Sequence, residues 1–177
     1  MKKSKETVTV ALWALVMICQ LLIIVNHYSN AGKDFGMVKG ALTTEPYRLI
    51  TCAFVHGSGI HILGNSLSLY YIGKDLENSV GTLKFILISF ASLIGSSLMV
   101  NFFGKYGEYH IGISGIIFGL FIALIIYKYK HRKMIDFMQL VIILAINIII
   151  TVSKSNVSWQ GHLGGAIAGL ITGIALI

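Results

Sequence analysis

The sequence predicts an all-α membrane protein: six spanning helices and a long first outer loop embedded in the lipid. Three observations carry that prediction. Only 12% of the 177 residues are charged and the mean hydropathy is +0.79, whereas soluble domains carry about 25% charged residues. The charges are clustered at 2–6, 33–48, 74–84, 105–108 and 128–136, with Lys154 alone. Between them lie six charge-free windows, 7–32, 49–73, 85–104, 109–127, 137–153 and 155–177, the shortest of 17 residues. A membrane helix needs about 20 residues, with a range of roughly 17–25. The chain, 1–177, reads as a single membrane domain with no soluble part and no internal repeat.

The first span covers Thr7–His27. Gln20 is its one strongly polar interior side chain and is expected to bond a neighbouring helix. Lys2, Lys3 and Lys5 before it and Ser29-Asn30-Ala31 after it imitate a signal peptide. The apolar run Val8–Val25 is 18 residues long, however, beyond the usual ~7–15 of such segments. Residues 28–60 form the longest connection, with Pro46, Tyr47-Arg48 and a semi-apolar stretch Leu49–Val55. Tyr and Arg have apolar bodies and polar tips, so this loop is expected to lie on or dip into the outer leaflet.

Span two runs over Ile60–Gly73, span three over Leu83–Phe103 and span four over Ile111–Tyr127. Span five, Phe137–Val152, is almost pure Ile, Leu and Val. Span six covers Trp159–Ile177, where 19 residues at ~1.5 Å each barely cross the hydrocarbon.

The net charge of +7 forms no basic face or aromatic-interleaved patch, which argues against nucleic acid. It reports orientation instead. A cytoplasmic N-terminus puts Lys2, Lys3, Lys5, Lys74, Lys84, Lys128, Lys130, Arg132 and Lys133 inside. Lys33, Lys39, Arg48, Lys105 and Lys154 are then outside. Nine against five follows the positive-inside tendency, with both termini cytoplasmic. The compact form and Lys/Ile-rich usage point to a bacterial plasma membrane. Cys19 and Cys52 read as packing residues, not a disulfide framework.

Under this topology spans two, four and six all start on the outer side. Their first turns bring His61 and Asn65, Ser114 and His162 to one depth, and polar groups at such depth face a bundle interior or a wet cavity. A serine hydroxyl is hardly ionised at neutral pH and needs a base to become a nucleophile; a neutral imidazole such as His162 meets that need. No Asp or Glu lies near span six, so this would be a dyad. His61 and Asn65, at i and i+4, share one face of span two. With the Ser114 N–H they offer the donors of an oxyanion hole. Gly115 and Gly119 on span four, and Gly165, Gly169 and Gly173 on span six, would let the two helices approach closely.

Each residue also has a bland reading. Ser66, Ser68, Ser89, Ser92, Ser96 and Ser97 read as structural serines bonded to their own helix or a neighbour. His27, His110 and His131 are expected to be solvated at span ends, while His56 is a candidate support between loop and site.

Together these residues resemble the rhomboid intramembrane serine proteases. The resemblance runs from Tyr47 to Gly173. It includes H-x-x-x-N (His61, Asn65), G-x-S-G (Gly112, Ser114, Gly115), H-x-x-G-x-x-x-G (His162, Gly165, Gly169), and Glu77 and Gly81 just after span two. It implies a rhomboid-like bundle with span four central and starting deep beneath a watery cavity. It further implies Ser114 as nucleophile, His162 as base, an oxyanion hole at His61 and Asn65, and a first outer loop lying sideways in the membrane. Span five would act as a lateral gate. Two departures are Tyr47-Arg48 where Trp-Arg is usual, and Phe118 where a tyrosine is common; Phe118 can still pack on the His162 ring.

The expected activity is endoproteolysis in or near a transmembrane helix of other membrane proteins, without cofactor or metal. Such substrates should be locally unwound, because helical carbonyls are shielded. A catalytically inactive rhomboid-like binder of transmembrane helices is the runner-up, and a small transporter or channel a third reading. His61 and His162 have no Cys, Asp or Glu to complete a zinc site.

Overall fold

A computed structural model describes residues 7–153 and 158–177. Lys2, Lys3, Lys5 and Lys154, counted above for orientation, lie outside the described residues. The described chain is mostly helical: α1 (Thr7–Val25), α2 (Ala31–Phe35), α3 (Arg48–Thr51), α4 (Gly59–Val80), α5 (Thr82–Phe103), α6 (Ser114–Lys130), α7 (Met134–Ser153) and α8 (Trp159–Leu176). Two short extended segments, β1 (Met37–Val38) and β2 (Tyr109–His110), pair antiparallel with Met37 opposite His110. This pair departs from the all-α expectation. Two residues per strand are too few to leave an alternating pattern in a sequence.

Helix α6 forms the centre of the bundle. Every residue from Gly115 to Phe121 is buried, which fits a helix that is apolar all round. Ile113, Leu120 and Leu124 of this segment join Leu69 and Leu76 of α4 and Phe85 and Ile88 of α5 in the main core. Helix α8 packs against both α5 and α6. Gly164 of α8 lies on Gly95 of α5, while Gly165 and Gly169 lie on the backbone of Gly115 and Gly119.

The periphery is apolar too. Ile18, Leu21, Leu22 and Ile24 of α1 and Ile142, Ile146 and Ile149 of α7 are exposed, a surface area that water does not favour and lipid does. Two helices, α1 and α5, are long and apolar enough to cross a membrane, and α7 contributes a shorter apolar stretch. The remaining long helices differ for a physical reason. Polar groups open α4 and α8, charged groups close α4, and α6 spans 17 residues.

Helix α4 extends to Val80, well past the Gly73 expected from sequence, so Glu77 lies inside the helix and not after it. Glu77 is fully buried. Its carboxylate accepts from the backbone N–H of Val8 (3.2 Å) and Thr9 (2.8 Å) and from the hydroxyls of Thr9 (2.7 Å) and Thr82 (3.0 Å). It thereby caps the first turn of α1 from a neighbouring helix, satisfying donors that a helix start leaves open. At the same end, Lys128 of α6 reaches Asp75 (2.7 Å) and Asp136 (3.5 Å), tying α4, α6 and the start of α7 together.

The long connection after α1 is folded around Arg48. This side chain is buried within the loop, at 7% exposure, while Tyr47 beside it is exposed. The guanidinium grips Glu45 through Nε (3.0 Å) and Nη2 (3.1 Å) and donates from Nη1 to the carbonyls of Lys33 (2.8 Å) and Gly36 (2.6 Å). A planar fork of donors suits that task, because it bridges a carboxylate and two carbonyls at once. The Glu45 carboxyl is held below its ordinary range, first by its bond to Arg48. The loop is fastened to α5, where Asn101 accepts from Leu42 N–H (2.9 Å) and its carbonyl accepts from Gly40 (3.0 Å).

Candidate active site

The loop also sets the segment that precedes α6. The carbonyl of Cys52 accepts the N–H of Gly112 at 2.8 Å, and the β1–β2 pair holds Tyr109 and His110. Gly112 has φ +108, a conformation that L side chains rarely adopt. A Cβ there would lie 2.8 Å from Cε1 and Nε2 of His61 and 3.3 Å from Nδ2 of Asn65. The chain therefore turns over the His61 and Asn65 side chains just before it enters α6 at Ser114.

Serine caps start the two helices that carry the site histidines. Ser58 Oγ accepts the N–H of His61 (3.2 Å), and Ser158 Oγ accepts that of Gly161 (3.1 Å). Each satisfies a third-position donor of its helix. These caps fix where α4 and α8 begin, and hence the depth of His61 and His162. Sequence reasoning did not single them out, although a Ser three residues ahead of the bonded N–H is a legible signal.

His162 Nε2 lies 2.8 Å from Ser114 Oγ, across 48 residues of chain. The Phe118 ring stacks on the His162 imidazole, with centroids 4.2 Å apart and planes at 15°. Ser114 and Phe118 are four residues apart on one face of α6, so one helix supplies both the hydroxyl and the platform. The approach depends on the glycine seam. A Cβ on Gly165 would collide with the Gly115 carbonyl, and one on Gly169 with that of Gly119. On the opposite partner, Ser96 and Ser92 of α5 press on Gly115 and Gly119.

As the first residue of α6, Ser114 presents an N–H outside the intrahelical ladder, at the positive end of the helix dipole. Asn65 Nδ2 is buried and has no hydrogen-bond partner among the described residues. Both are donors left open. A cavity of about 30 Å³, measured as room for the centres of water molecules, adjoins the Ser114–His162 pair. Ser96, His110, Gly112 and Ser158 help to line it, and it has space for a water or two. His61 and Asn65 do not line it and meet the site through Gly112.

The residues expected at the site are thus brought together: Gly112, Ser114, Gly115, Phe118, Gly119, His162, Gly165 and Gly169 directly, His61 and Asn65 over Gly112. Two expectations change. His110 is not a solvated end residue; its Nε2 is buried without a partner among the described residues, and burial pushes its pKa down. Gln20 bonds not to a helix but to the loop, accepting His56 N–H at 2.9 Å. The serines are mixed: Ser92 bonds its own helix at Ile88 (2.7 Å), Ser97 reaches Leu49 (2.9 Å), and Ser89 Oγ is buried without a partner among the described residues.

Residues 43–177 match a family model described as Rhomboid domain. The chain belongs to the rhomboid family. Rhomboid protease GluP of Bacillus subtilis is 30% identical over 185 aligned positions, covering 99% of this chain and 36% of that protein. RHOMBOID-like protein 1 of Arabidopsis thaliana is 33% identical over 141, covering 75% of this chain and 35% of the relative. YdcA of Bacillus subtilis is 26% identical over 168, covering 90% and 80% respectively. The chain spans about a third of the length of the first two relatives. Rhomboid-family membership makes this a membrane protein related to proteases. Among the described residues, no group of three or more His, Cys, Asp or Glu side chains is gathered that could hold a metal.

Proposed function

We propose that this rhomboid is an intramembrane serine endopeptidase that cuts other membrane proteins in or near a transmembrane helix. The observation that carries the reading is the 2.8 Å approach of His162 Nε2 to Ser114 Oγ. An unprotonated Nε2 accepts the hydroxyl proton as Oγ attacks the scissile carbonyl. His162 then returns that proton to the leaving amine, and an acyl-serine remains. In the second half His162 takes a proton from water, hydroxide attacks the ester carbonyl, and Ser114 recovers its hydrogen. The Phe118 ring stacked on the imidazole helps to orient it in this dyad.

The developing oxyanion would be held by Asn65, His61 and the Ser114 N–H. The open Nδ2 donor of Asn65 supports that role, because a preorganised donor stabilises developing charge without reorganising at the moment of reaction. Each such donor is worth about 10²–10³ in rate.

The protein would sit in a bacterial plasma membrane with six spans, α1, α4, α5, α6, α7 and α8, both termini cytoplasmic and the Arg48 loop in the outer leaflet. Ser114 at the outer end of α6 then faces substrate from that leaflet. Locally unwound segments should be preferred, since helical carbonyls are already bonded. The test is mass spectrometry of products from the purified protein and a panel of single-span substrates. Wild type should give a defined cut near the outer membrane boundary and Ser114→Ala none. Cleavage retained by Ser114→Ala would overturn the reading.

A further inference from the structure

We infer that His56, outside the motifs of the site, is a positioning residue for His61, acting through its ring edge. The inference rests on the reading of His61 as an oxyanion donor and extends it to the loop ahead of α4. His56 is buried, at 5% exposure. Its ring meets that of His61 at 5.0 Å between centroids and 67°, an edge-on arrangement that aromatic pairs favour.

Neither His56 ring nitrogen has a hydrogen-bond partner among the described residues. What the imidazole provides is therefore shape and an aromatic edge, not a polar bond. The backbone beneath it is braced. His56 N–H donates to Gln20 Oε1 of α1 at 2.9 Å, a buried bond across 36 residues of chain. His61 is fixed at its own N–H by Ser58, and its Cε1 and Nε2 border the space that a Cβ on Gly112 would take. His56 supplies a further wall to this ring. Burial first, and the neighbouring His61 second, bring the His56 pKa down to about 4. The ring is thus neutral at pH 7 and puts no charge beside the oxyanion site. A donor displaced by a fraction of an ångström loses much of its value in the transition state.

The experiment measures kcat and KM on one single-span substrate for wild type, His56→Ala, His56→Phe, His61→Ala and the double variant His56→Ala/His61→Ala. His56→Ala should lower kcat about ten-fold, the rate equivalent of one well-formed aromatic contact. KM should stay within about two-fold, and His56→Phe, which restores the ring without nitrogens, should come back to within about two-fold of wild type. In the His61→Ala background the same truncation should cost less than about two-fold, because its target is gone. An equal loss in both backgrounds, an unchanged kcat in His56→Ala, or no rescue by Phe would overturn the inference. Should the Ala variant fail to fold, His56→Leu fills the volume without an aromatic edge and takes its place. Ser114→Ala runs alongside: cleavage surviving there removes the proteolytic reading itself, whereas failure confined to the His56 series removes this inference alone.

Discussion

At position 112 a side chain has nowhere to go. Gly112 combines φ +108 with a position where a Cβ would lie 2.8 Å from the His61 ring. Either the backbone ahead of Ser114 or the imidazole must yield to any substitution. Gly112→Ala is therefore expected to cost about 1–3 kcal/mol of stability through strain and to lower kcat more than about ten-fold by displacing the proposed oxyanion donors. Thermal melts and kinetics on the same preparation check this, and near-native activity would contradict it. The sequence motif named this glycine without giving its reason. Its spacing from Ser114 was legible, but its contact with a ring 51 positions earlier in the chain depends on how α4 meets α6. Phe118 was singled out through the family resemblance, and its place four residues after Ser114 on one helix face is the physical reason that its ring meets His162.

At the scale of elements, the α6–α8 seam decides whether an alcohol and an imidazole can touch. Small residues four apart announced close packing in advance. The close approach of Gly165 to the Gly115 carbonyl explains why even alanine is excluded. Gly165→Ala is expected to force the helices apart, costing about 1–3 kcal/mol, and to lengthen the Ser114–His162 bond enough to depress activity well before the protein unfolds. Activity and melting temperature measured together test this; wild-type kinetics in a fully folded variant would count against it. Helix ends were less legible than helix existence. The apolar windows located all six long helices, yet α4 runs on to Val80 because the buried carboxylate of Glu77 finds donors on α1 and Thr82, a compensation invisible until two segments meet. The β1–β2 pair escaped for a similar reason, its order coming from tertiary bonds around Arg48 and not from local propensity.

For the whole molecule, two features separate the ends of the bundle. One end carries the ties of Glu77 to α1 and of Lys128 to Asp75 and Asp136; the other carries the loop folded on Arg48 and the Ser114–His162 pair. The proposed orientation puts the first end in the cytoplasm. A fluorescent reporter fused after Ile177, of a kind that matures only in the cytoplasm, should light up, and a periplasmic phosphatase fused there should stay inactive; the reverse pattern would invert the topology. Lys/Arg asymmetry carried this orientation in the sequence, whereas the burial of Arg48 could not be read from charge alone. The central claim is that His162 activates Ser114, and fluorophosphonate labelling followed by peptide mapping probes it most directly. The account predicts an adduct on Ser114 in the wild-type protein that disappears in His162→Ala. An adduct formed equally well in His162→Ala, or none on Ser114 in the wild type, would contradict it.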